Sequence, residues 1–73
     1  MNHEHLIRMA NQIGTFFESQ PDRAEALEGI ATHIRKFWEP RMRREFLALL
    51  DGGCEGVHPL VREALQSHRT LLA

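Results

Sequence analysis

The stretch Ile34-Arg35-Lys36-Phe37-Trp38-Glu39-Pro40-Arg41-Met42-Arg43-Arg44-Glu45-Phe46 decides how this chain folds. Proline disfavours the α conformation in the residue before it, so a helix arriving at Trp38 must stop or kink at Trp38–Glu39. Pro40 then suits the first position of the next helix, where its missing N–H costs nothing. Upstream of the elbow, Ala24, Leu27, Ile30, Ala31, Ile34, Phe37 and Trp38 recur at helical spacing and make one apolar stripe. That helix starts at Pro21-Asp22, where Asp22 with Glu25 three residues on resembles a capping box. Downstream, Met42, Phe46, Leu49 and Leu50 share a face, and Gly52-Gly53 supplies the freedom a helix end needs.

The flanks read the same way. Leu6, Met9, Ala10, Ile13, Phe16 and Phe17 form an amphipathic first helix with Asn2 as its N-cap. Ile7 lies off that stripe on the side of Gly14, which points to a second, smooth surface that is also contacted. Gly56 keeps the loop irregular, and Pro59 opens a last helix whose Leu60, Val61, Ala64, Leu65, Leu71 and Leu72 face one way, with Val57 just before it. The expected helices are about 2–19, 22–38, 40–51 and 59–72 in one domain of residues 1–73. The fold class is all-α: a small bundle of three to four short helices. The third helix either follows the second or continues it through a proline kink. No strand alternation, repeat or low-complexity stretch interrupts this reading.

Length and charge narrow the function. Seventy-three residues make one small domain and exclude a two-domain enzyme with a cleft between its halves. Nine Lys and Arg against ten Asp and Glu give a net charge of −1, which argues against a generally basic nucleic-acid binder. A lone cysteine cannot close an internal disulfide. No apolar run approaches the ~20 residues a membrane span needs. The opening Met-Asn-His-Glu-His has no basic stretch leading into an apolar block, so the expected location is the cytoplasm.

Few residues carry chemistry. His3 and His5 are two apart and diverge on a helix, and Cys54 with His58 supplies only two ligands, short of the three or four that zinc requires. Surface histidines and a small thiol account for them. Cys54 near His58 also evokes a nucleophile and base, but no upstream element offers an oxyanion hole. Gly52-Gly53-Cys54-Glu55-Gly56 lacks the Lys-Ser/Thr pair and preceding strand of a phosphate loop. The elbow differs. Five of the nine cations lie between Arg35 and Arg44, opposed there only by Glu39, around the single Trp. A solvated basic face over a core Trp38 is one reading, and a protein interface is the other, since Trp and Arg concentrate in binding hot spots. Duplex DNA contact through Arg41, Arg43 and Arg44 fits poorly with the acidic residues interleaved nearby.

Three blocks resemble a known family. Leu6-Ile7-Arg8-Met9-Ala10-Asn11-Gln12-Ile13 with Phe16-Phe17 is similar to the opening of the delta subunit of NAD-dependent, molybdenum-containing formate dehydrogenases. His33-Ile34-Arg35-Lys36-Phe37-Trp38-Glu39-Pro40-Arg41-Met42-Arg43 resembles its central signature, with Glu39 where Asp is usual. His58-Pro59-Leu60-Val61-Arg62-Glu63-Ala64-Leu65 is similar to its tail. The resemblance implies a non-catalytic accessory subunit supporting assembly or stability of the enzyme. It implies no cofactor here: molybdopterin, iron–sulfur clusters, FMN and NAD belong to partner subunits. The partner it implies is the large catalytic subunit, with Arg35, Trp38, Arg41, Met42, Arg43 and Arg44 as docking residues and neither nucleic acid nor membrane involved. Self-association of the isolated chain stays open, as does the alternative of a transient cofactor-insertion chaperone or free-standing helical adaptor.

Overall fold

The computed structural model describes residues 2–72, and every regular element among them is helical: α1 His3–Phe17, α2 Arg23–Phe37, α3 Pro40–Asp51, α4 Pro59–Ser67 and the single turn α5 Arg69–Leu72. The two side-chain caps expected from the sequence form as their chemistry dictates. The Asn2 carboxamide oxygen accepts from the Glu4 and His5 N–H groups, and the Asp22 carboxylate accepts from the Glu25 N–H at 3.2 Å. Gly53 ends α3 with φ at 78°, in the left-handed region that a side chain would penalise.

Helix α2 lies chiefly against α4, and α1 packs on both; α3 closes over α1 and α2, and α5 over α2 and α4. Leu6, Ile30, Ile34, Phe46, Val61, Leu65 and Leu72 form the fully enclosed centre. Close approach of α1 and α4 depends on Gly14, because a Cβ there would stand 2.8 Å from both His58 Cγ and Val61 Cγ2. The smooth second surface on the Gly14 side of α1 is therefore an α4 contact.

Several local expectations shift. The elbow is a break, not a kink that carries α2 into α3: Trp38 (ψ 139°) and Glu39 (ψ 150°) are both extended. Pro40 bars helical geometry at Glu39, and the extended Trp38 lets its indole turn into the core. On α1 the buried line is Leu6-Ala10-Gly14, so Met9, Ile13 and Phe17 are only half-buried and Phe16 is exposed. On α2, Ala26 faces inward in place of Ala24, and Phe37 ends the helix in solvent. On α1 the small residues set the rotation, since Gly14 lets α4 come close. Leu47 joins the inward residues of α3. The last helix divides at His68 (φ −116°), and the following turn brings Leu72 into the core and Arg69 onto Asp51.

Candidate functional site

The elbow is built from the inside. Trp38 is buried with its indole edge-on to Phe46, ring centroids 5.6 Å apart at 67°. The break leaves the last carbonyls of α2 without helical partners. Arg43, about one turn into α3, supplies the replacement: its Nη1 donates to the Arg35 carbonyl at 2.8 Å and to the Trp38 carbonyl at 3.2 Å. A guanidinium at a helix C-terminus also suits the negative end of the helix dipole.

The other elbow residues look outward. Arg41, itself exposed, reaches the half-buried Glu45 at 3.6 Å in an i,i+4 pair, a geometry worth only ~0.3–0.5 kcal/mol. Met42 is half-buried. Arg35, Lys36 and Arg44 are exposed and make no ion pair among the described residues. Of the six docking residues expected from the sequence, Trp38 and Arg43 thus hold the elbow's shape while Arg35, Arg41 and Arg44 present charge to solvent.

Beside the elbow runs a feature the sequence reading assigned to the core. A groove of about 460 Å³ lies between α1 and α2, lined by Met9, Gln12, Ile13, Phe16, Phe17, His33 and Trp38. Phe16 is 71% exposed and Phe37 is 72% exposed, the two large apolar side chains left in water among the described residues. Phe16 stands perpendicular to Phe17 at 5.1 Å, and Phe37 rests on His33 at 4.8 Å. Phe17 in turn lies on Gly29, where an added Cβ would be 2.5 Å from its ring. The signal available beforehand was the excess of large apolar residues on α1: two adjacent stripes, of which one helix can bury only one fully.

The opposite side of α1 is a polar fastening. The Asn11 carboxamide donates to the Gly56 carbonyl at 2.8 Å and accepts from the His58 N–H at 2.8 Å. His58 Nδ1 accepts from the Leu60 N–H at 3.1 Å, which leaves Nε2 to donate to Glu18 Oε2 at 3.0 Å. The Cys54 thiol faces the Glu55 carbonyl at 3.4 Å, and Arg62 donates to the Cys54 carbonyl. Cys54 and His58 are each engaged separately, as structural groups. Among the described residues no group of three or more His, Cys, Asp and Glu is arranged to hold a metal ion, and no helix is long and apolar enough to cross a membrane.

Elsewhere charge is consumed internally. Arg23 pairs with Glu63 at 2.6 Å, and Arg69 grips both Asp51 carboxylate oxygens at 2.7 and 2.8 Å. The hydrogen bonds from Arg69 hold the Asp51 carboxyl below its ordinary range, and the same contact raises Arg69 above its own. The arrangement suits recognition: a rigid basic elbow beside an open aromatic groove. No curated protein sequence and no solved structure matches the chain. Residues 5–65 match the family described as NADH-dependant formate dehydrogenase delta subunit FdsD. With that match spanning most of its 73 residues, the chain belongs to the delta-subunit family of NADH-dependent formate dehydrogenases.

Proposed function

We propose that this chain is a non-catalytic accessory subunit that docks on the large catalytic subunit of a formate dehydrogenase complex and supports its assembly or stability. The observation that carries this reading is the family match over residues 5–65. The physical features support it. The polar side chains described above are spent on caps and inter-helix fastenings, while Arg35, Lys36 and Arg44 are exposed at the elbow and Phe16 and Phe37 are exposed on the helices that lead to it. In this reading Arg35, Arg41 and Arg44 contact the partner with Met42 beneath them, and Trp38 and Arg43 act by holding the elbow rigid. The bis-molybdopterin, iron–sulfur, FMN and NAD chemistry belongs to the partner subunits, and the complex works in the cytoplasm.

Affinity purification of the tagged chain from its native host tests this. Stable co-elution with the mature, cofactor-loaded complex is expected. Association with the cofactor-free large subunit alone would replace the subunit reading by that of a transient insertion chaperone. Absence of any formate dehydrogenase polypeptide would end both.

A further inference from the structure

We propose that the α1–α2 groove seats an amphipathic helix of the partner subunit, with apolar anchors on Phe16 in the groove and on Phe37 in the depression that adjoins it at His33, and acidic side chains over the elbow end. The inference rests on the accessory-subunit reading above and names its contact surface.

Three observations lead there. First, the groove is apolar where contact would be made: Met9, Ile13, Phe16, Phe17 and Trp38 line it, with Gln12 and His33 as its polar members. Methionine and half-exposed phenyl rings adapt to an inserted side chain at little cost. Second, its shape fits one mode of peptide recognition. Among the described residues there is no sheet edge to extend, so strand addition has no template. A furrow between two helices accepts a third helix through anchors spaced three and four residues apart. Third, charge gives the occupant a direction. Short connection makes α1 and α2 antiparallel, so the groove runs from Phe17 on Gly29 to Met9 beside Trp38. Glu25 and Glu28 share the adjoining depression toward its first end, and Lys36 shares it with His33 and Phe37 toward the second. Arg35, Arg41 and Arg44 continue the positive charge past Trp38. A complementary helix therefore carries acid at its elbow end and base or no charge over Glu25 and Glu28.

The test uses the tagged chain expressed with the complex in its native host, in three forms: wild type, Phe16→Ser with Phe37→Ser, and Lys36→Glu. Because both phenyl rings are exposed, the double variant should melt as the wild type does in circular dichroism. It should lose about 30-fold or more of the co-purified large subunit, the loss expected for hot-spot anchors. Lys36→Glu should weaken recovery about 3- to 10-fold at low salt, with the difference shrinking in high salt as screening removes it. Wild-type recovery by the double variant would overturn the groove while leaving the accessory-subunit reading standing. Failure of the wild-type chain itself to recover the complex would overturn that reading and the groove with it. A wild-type chain that is dimeric by light scattering and monomeric as the double variant would make the occupant a second copy and refute the partner helix.

Discussion

Arg43 and Arg44 are adjacent in sequence and opposite in consequence, which makes a paired substitution to glutamine informative. Arg43 Nη1 serves the Arg35 and Trp38 carbonyls that the elbow strands at the end of α2, whereas Arg44 has its charge in solvent. A charged donor to a carbonyl is worth ~1.5–3 kcal/mol when well enclosed. One of these two bonds is exposed and the other half-buried, so a loss of about 1–2 kcal/mol is the reasonable expectation for Arg43→Gln. In a domain of this size each kcal/mol moves Tm by ~4–8 °C, so Arg43→Gln should melt about 5–15 °C below the wild type. Arg44→Gln should stay within about 0.5 kcal/mol, as exposed substitutions do. Thermal melts followed at 222 nm give the Tm values, and Trp38 emission reports the elbow directly, shifting to the red as the indole loosens from Phe46. The reasoning fails if Arg43→Gln melts with the wild type, or if both variants fall equally.

Three further substitutions probe the packing. Gly14→Ala places a Cβ 2.8 Å from His58 Cγ and Val61 Cγ2, and overpacking of ~1–3 kcal/mol should exceed the ~1 kcal/mol gained in helix propensity. Gly29→Ala meets only the Phe17 ring, whose half-exposed end can swing away, so calorimetry should find it the more stable of the two alanine variants. Asn11→Ala leaves the His58 N–H without its acceptor, a loss of ~1–3 kcal/mol that should appear as faster amide exchange across residues 52–58. For Asp51, whose carboxyl the Arg69 hydrogen bonds hold below its ordinary value, the stabilisation is complete above the unfolded pKa of ~3.9. It is lost as pH falls through the lower folded value, so Asp51→Asn should melt below the wild type at pH 7 and converge with it near pH 2.

The elements of the fold were legible because strong local rules wrote them: Pro40 for the elbow, Asn2 and Asp22 for the starts, Gly53 for the end of α3. The orientation of each helix was not. Leu6-Ala10-Gly14 and Met9-Ile13-Phe16 are equally periodic, and the choice between them belongs to α4, which needs the smoother line to come close. Periodicity favours the larger residues, so it puts Phe16 and Phe37 on the inward stripes and gives no sign of the groove beside Phe16 or the depression beside Phe37. The division at His68 had no glycine or proline to announce it and follows from where Leu72 and Arg69 must go. At the elbow, Arg41, Arg43 and Arg44 are chemically the same in sequence. Only the broken backbone, by exposing carbonyls on one side, separates Arg43, which caps them, from Arg41 and Arg44, which face solvent.

The balanced net charge hides that separation, and the structure explains how. Arg23, Arg41 and Arg69 meet carboxylates, while Arg43 and Arg62 meet backbone carbonyls, which bind a cation without neutralising it. What faces outward is then Arg8 on α1 and the three cations Arg35, Lys36 and Arg44 gathered where α2 ends. A 73-residue domain is held by only ~4–11 kcal/mol at usual stabilities per residue. A partner bound at a hundred times its Kd adds ~2.7 kcal/mol, a large share of that total. Two phenyl rings kept in water do little for the free chain, which is the ground for the docking proposed above. In the docking proposed above, covering the groove should raise the melting temperature, and Phe16→Ser with Phe37→Ser should remove that increment without lowering the starting point.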